Sequence, residues 1–271
     1  MPAPGEILVQ IVQINARRVF MWHVAIIVCL ALGHLFATIV WRDFPPFTLD
    51  KVRAFFDFDE EAGPSAFFSS LALLACAGAA ALVSGATTTD VRLRHFWSVV
   101  GLIAAYLALD EAVAIHEKFD AIGQWLTSGR GIFTISWWVV YPFALAPFVI
   151  FAAPGLLGLD ADARNRLLIA GVVFLSGAIG CEILESVARD GFLTAYNLRH
   201  GDGVDWAAYA AALETHGDSY QRQQGALALL EETLEMTGVA LALRALLVRA
   251  SELGATVRLI VTPPVRPASR I

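Results

Sequence analysis

Six stretches of this chain each run to about twenty mainly apolar residues, at roughly 19–41, 66–84, 96–117, 132–154, 166–187 and 224–248. A helix of about twenty such residues crosses the hydrocarbon core of a bilayer. Six of them in one chain leave little else for it to become. Composition agrees: 57% of the residues are hydrophobic and 16% charged, against roughly 45–50% apolar and about 25% charged in soluble domains. The expected fold class is therefore all-α: a polytopic integral membrane protein, a six-transmembrane-helix bundle over 1–250, with a short, poorly structured cytoplasmic tail over 251–271. The formal net charge of −6 and the lack of a basic stripe argue against nucleic acid as a partner. Cys29, Cys76 and Cys181 are far apart in apolar runs and form neither a disulfide framework nor a zinc-finger spacing.

Orientation follows from Lys and Arg in the short loops. Arg17 and Arg18 precede the first span, Arg92 and Arg94 the third, Arg164 and Arg166 the fifth, and Arg244, Arg249 and Arg258 lie at or after the end of the sixth. With alternating spans all of these fall on one side, so both termini are read as cytoplasmic and the membrane as a bacterial inner membrane. The N-terminus lacks the basic start and cleavage site of a secretory signal; residues 6–15 read as a juxtamembrane or interfacial helix. The opposite side carries "DFDEE" at 57–61 and the long segment 188–222. Two short amphipathic helices are expected in these outer loops, one with Leu49, Val52, Phe55 and Phe56 at helical spacing, the other with Trp206, Tyr209 and Leu213. Pro142 and Pro147 should kink the fourth span.

Three spans carry acids that such spans usually exclude. The third has Asp110, Glu111 and Glu117, the fifth Glu182 and Glu185, the sixth Glu231, Glu232 and Glu235. Third and fifth spans run outward with their acids late; the sixth runs inward with its acids early. All of these carboxylates therefore converge on one layer in the outer half of the membrane, and His34, near the outer end of the first span, reaches it too. A charge at the bilayer centre costs about 2.5–3.5 kcal/mol on insertion scales, and a domain's whole stability is about 5–15 kcal/mol. Lys118, Arg189 and Arg222 supply too little positive charge at that depth. The cluster is balanced by bound cations, by shared protons or by water.

Carboxylates from several helices joined by imidazole are the general pattern of dinuclear iron or manganese sites in helix bundles. The Glu-x-x-His pair of ferritin-like proteins is absent; Glu182-x-x-Glu185 and Glu232-x-x-Glu235 stand instead. The expected ligands are Asp110, His116, Glu117, Glu182, Glu185, Glu231, Glu232, Glu235 and His34, holding a divalent metal (iron, manganese or zinc), in a mononuclear or dinuclear site. At about 100° per residue, Asp110 and Glu117 share a face, Asp120 is placed to orient the His116 ring, and Glu111 points aside. His23 and His34 share a face but lack partner histidines at matching depth, so no haem is expected. Tyr106 reads as an interior tyrosine, Trp137 and Trp138 as interfacial belt residues.

Three functions fit this pattern. The first is a metal-dependent enzyme acting on a lipid-like, quinone-like or other amphiphilic substrate near the outer leaflet, with membrane lipid as its surroundings. Zinc would imply hydrolysis through a metal-activated water, and paired iron an oxygen-dependent oxidation. The second is a cation or proton-coupled transporter. The third is a non-catalytic membrane subunit that uses the acids for assembly. No sequence feature specifies an oligomeric state.

Overall fold

The computed structural model describes residues 8–12, 14–43, 55–58, 63–127, 129–200, 203–255 and 257–261. Helices predominate: α1 (Ala16–Asp43), α2 (Pro64–Ala86), α3 (Val91–Val113), α4 (Asp120–Thr127), α5 (Trp137–Leu157), α6 (Ala161–Leu175), α7 (Glu182–Ala195), α8 (Trp206–His216) and α9 (Asp218–Glu252). A π-helical turn, Ser176–Cys181, joins α6 to α7 into one continuous rod. Among the described residues, five helical stretches are long and apolar enough to cross a membrane: Ala16–Thr38, Pro64–Ala86, Val91–Val113, Trp137–Leu157 and Ala161–Ala195. Their outward faces carry large apolar side chains in the open, Trp22 at 70% and Phe143 at 76% exposed. Faces of this kind suit contact with lipid.

The helix ends follow local chemistry. Pro64 opens α2, where a missing N–H costs nothing. Asp90 caps α3 by accepting from the amides of Arg92 and Leu93, and Asp160 caps α6 by accepting from Ala163. At its far end α3 stops at Val113 because Ala114 takes the left-handed conformation, with φ 48°. The Lys118 ammonium then donates to the carbonyls of Val113 and Ala114 at 2.7 and 2.8 Å.

Packing proceeds around α9. It lies against α6, α2, α1 and the π-turn, while α2 packs on α3 and α3 on α5. The main core is rich in small residues, with Ala79, Ala80, Val83, Trp97, Val239 and Leu246 among its buried members. Close helix approach of this kind is the usual route to stable packing in lipid. Two glycines set it. A Cβ on Gly238 would meet the Phe174 backbone nitrogen at 2.6 Å, and one on Gly177 the Glu231 carbonyl oxygen at 2.7 Å. A Cβ on Gly180, by contrast, would meet nothing within 4 Å.

Four expectations need correction. The stretch 8–12, read as part of a helix over 6–15, is instead strand β1 (Leu8–Val12); residues 6, 7 and 13 lie outside the described residues. It pairs antiparallel with β4 (Val257–Val261), Leu8 opposite Val261, so part of the tail expected to be unstructured is also a strand; 262–271 lie outside the described residues. Both segments are rich in β-branched residues, which favour extended chain, and the partner that decides the matter lies far off in sequence. The third apolar helix ends at Val113 rather than at 117, which the left-handed Ala114 explains. The last helix, α9, extends well before 224 and beyond 248. The other expectations fared variously. The helix expected around Trp206 is present as α8, with Trp206 itself exposed. A small ladder, β2 (Arg199–His200) with β3 (Gly203–Val204), precedes it. Leu49 and Val52 lie outside the described residues, whereas Phe55 and Phe56 are helical. α5 runs unbroken through Pro142 and Pro147.

Where the termini of α6 and α9 meet, Arg249 bonds Asp160 at 3.1 Å and Glu252 at 3.1 Å, and Arg166 bonds Glu252 at 2.9 Å. The Ala163 amide, then Arg249, holds the Asp160 carboxyl below its usual range. At Glu252 partial burial raises the carboxyl, but hydrogen bonds from Arg166 and Arg249 outweigh it and lower it. A carboxyl with a depressed folded pKa binds its proton at higher pH in the unfolded chain. Its stabilisation is thus full above the ordinary carboxylate value of about 4 and fades as pH falls through the lower folded value. Both groups are largely exposed, so the effect is small. Thermal unfolding in detergent across acidic pH should show a destabilisation that shrinks in Asp160→Asn/Glu252→Gln. Gly238→Ala, by overpacking, should cost about 1–3 kcal/mol, whereas Gly180→Ala should be neutral or slightly stabilising in the same unfolding assay.

Candidate functional site

The acids meet. A cavity of about 820 Å³ inside the bundle is lined by Asp110 and Glu111 of α3, Glu117, Glu182 and Glu185 of α7, and Glu231, Glu232 and Glu235 of α9. All the carboxylates singled out from the three apolar runs thus line one chamber. Asp120, His116, Trp137, Tyr141 and Arg189 also face it.

The π-turn builds one wall. A π-turn inserts a residue into the helical register and so re-aims the side chains after it. It is followed at once by Glu182 and Glu185, both 8% exposed. Gly177 within it lies directly against Glu231 and Glu235, a Cβ there coming within 2.9 Å of the Glu235 Cγ. One carboxylate oxygen from each of Glu182, Glu185 and Glu231 can be chosen such that all three lie within 4.8 Å of one another. Atoms at the corners of such a triangle sit about 2.8 Å from its centre, so closing onto a cation at about 2.0–2.2 Å needs shifts well under 1 Å. The Trp137 indole N–H donates to Glu182 Oε1 at 3.0 Å and fixes that carboxylate.

The opposite wall is the chain reversal after α3. Asp110, 6% exposed, accepts the His116 backbone N–H through Oδ1 at 2.8 Å and faces the His116 ring Nδ1 through Oδ2 at 3.1 Å. With Nδ1–H donating to the carboxylate, the imidazole carries its lone pair on Nε2, the arrangement by which carboxylates orient metal-binding histidines. The ring packs on Trp137 at 4.9 Å, and Tyr141 stacks on Tyr106 at 6.1 Å. Tyr141 is 6% exposed, and its hydroxyl lies beside the Asp110 carboxylate and the Tyr106 hydroxyl.

Several sequence expectations are revised by this geometry. Because α3 ends at Val113, Asp110 and Glu117 do not share a helix; Glu117 sits exposed on the 3₁₀ turn His116–Phe119, at the rim. Asp110, not Asp120, orients His116. Asp120 instead accepts from the Ser136 amide and from Gln124, fixing the loop before α5. Glu111, expected to point aside, lines the cavity. His34 is not among the cavity-lining residues: its Nδ1 lies 3.2 Å from both the Phe56 carbonyl oxygen and the Phe58 amide nitrogen, tethering that segment to α1. Trp137 and Tyr141 escaped sequence reasoning. Their i,i+4 spacing places them on one face of α5, but which face turns inward is decided by tertiary packing.

The family model described as a domain of unknown function, DUF8692, matches residues 21–250. The chain belongs to this family. No curated protein and no solved structure matches the chain. The DUF8692 match runs from α1 to the last turns of α9 and so contains every residue of the chamber.

Replacing Asp110 by alanine removes the acceptor of the His116 amide. A hydrogen bond to a charged group contributes about 1.5–3 kcal/mol, so hydrogen exchange at His116 should speed up about tenfold or more in Asp110→Ala, with the exchange of α9 unchanged.

Proposed function

We propose that this DUF8692 protein is a six-span inner-membrane protein, both termini cytoplasmic, whose chamber holds a divalent metal and acts on an amphiphilic substrate near the outer leaflet. One observation carries the metal reading: oxygens of Glu182, Glu185 and Glu231 converge within 4.8 Å on a chamber that also receives the Asp110-oriented imidazole of His116. Oxygen-rich ligation with one imidazole favours iron, manganese or zinc over copper.

The sixth span is α9. At 35 residues it is about 52 Å long, ample to cross a bilayer despite its acids. The β1–β4 ribbon joins the start of α1 to the end of α9, and Asp160, between α5 and α6, meets Arg249 near the end of α9. An even number of crossings brings these points to one side, and five would not. The arginines of that side support a cytoplasmic assignment.

The enzyme reading is preferred to a carrier because of what lies deeper. A second cavity of about 210 Å³ shares Leu73, Ile103 and Phe174 with the first and is lined by apolar residues and Cys76. Among the described residues its lining offers no carboxylate to pass a proton or cation onward.

Metal analysis of protein purified in mild detergent tests the proposal. Wild type should retain one or two equivalents of one divalent metal. Glu182→Gln/Glu231→Gln should lose it while keeping its gel-filtration profile, whereas Glu117→Gln, at the rim, should keep most of it. Asp110→Asn should weaken metal affinity about 10–100-fold through the His116 tautomer. Wild-type protein free of metal after metal supplementation would overturn the reading.

A further inference from the structure

The helices around the chamber form an open arc. α5 leans on α3, where Gly155 lies directly against Phe96. α6 leans on α9 through Gly238 and Phe174. Between them stand α3, α2 and α9 in contact order. α5 and α6 are joined by the short turn at 158–160, yet they are not packed together along their length. They are the two edges of the arc.

The chamber runs out through this gap. Leu145 and Val149 line it from α5, Gly171 and Leu175 from α6. Val149 is 58% and Leu175 52% exposed, and a Cβ on Gly171 would meet nothing within 4 Å. A single cavity is therefore apolar where it opens sideways and carboxylate-lined where it closes. At the polar end the Tyr141 hydroxyl is buried beside the Asp110 carboxylate.

We propose that the gap between α5 and α6 is a lateral portal through which a bilayer amphiphile enters, its hydrocarbon chain lying along Leu145, Val149, Gly171 and Leu175 and its oxygen-bearing head beside Tyr141. This identification of the substrate class rests on the reading of the carboxylate chamber as a metal site. An occupant with an apolar chain and a polar head matches both ends of the cavity. A transmembrane helix of another protein would match only the portal. The volume of about 820 Å³ lies in the range of about 300–1,000 Å³ common for small-molecule pockets.

The test is photolabelling of full-length protein in vesicles of phosphatidylethanolamine and phosphatidylglycerol, the latter carrying a diazirine in one acyl chain. Adducts mapped by mass spectrometry should be several-fold denser at Leu145, Val149 and Leu175 than at Ile150 and Val172, which are 72% and 64% exposed and face outward. Gly171→Trp projects a bulky side chain into the gap from a position where a Cβ meets nothing within 4 Å. It should reduce the portal adducts several-fold and leave the outward adducts and the metal content unchanged. Gly171→Leu serves if the larger variant fails to fold. Equal labelling of portal and outward residues, insensitivity to Gly171→Trp, or crosslinks from the portal to a second chain would overturn the proposal. Bound metal without portal labelling sinks the portal alone; portal labelling in protein that never binds metal sinks the metal site instead.

Discussion

Carboxylates crowded into one chamber repel each other unless they are neutralised, and the rest of this structure depends on how they are brought together. The decisive contact is that of α9 with the π-turn ahead of α7. Gly177 lets the Glu231 and Glu235 turn of α9 come within van der Waals distance of the helix that carries Glu182 and Glu185. Gly238, two turns on from Glu231, holds the same pair of helices together at Phe174. A side chain at either place would separate the two acid-bearing helices and open the triangle of oxygens. The close packing that stabilises the bundle thus also creates its electrostatic problem.

The second half of the chamber has a different origin. It comes from a helix end, not from helix packing. Ala114 adopts a left-handed conformation that non-glycine residues seldom take, at a cost of roughly 1–2 kcal/mol, and Asp110 and Lys118 stabilise the reversal from either side. This turn brings His116 back over Asp110. It also converts an acid that would lie unpaired in a span into the partner of an imidazole. Trp137 does comparable work on Glu182 from α5. Each wall of the chamber is therefore held by a specific donor as well as by packing.

Much of this was legible in the sequence, because hydropathy and charge alternation are properties of segments. Five apolar helices, and the convergence of acids from the third, fifth and sixth apolar runs, follow from where Asp110, Glu182 and Glu231 fall along those runs. What was illegible depends on single backbone conformations or distant partners. Helical angles computed through 110–117 fail because Ala114 breaks the helix, which no breaker residue announces. The π-turn leaves no signature beyond Gly177 and Gly180. The β1–β4 ribbon pairs segments at opposite ends of the chain. Position along a span suggests a depth for His34 but not a direction, and the backbone of Phe56 and Phe58 holds its ring.

In the proposed centre, oxygens from α7 and α9, with one imidazole, surround a metal ion. X-ray absorption at the metal edge of purified protein tests this most directly. A first shell of oxygen and nitrogen scatterers near 2.0–2.2 Å is expected, with the outer-shell signature of a single imidazole, lost in His116→Ala. A shell containing sulfur, or several imidazoles, would contradict it, because among the described residues no cysteine and no histidine other than His116 lines the chamber.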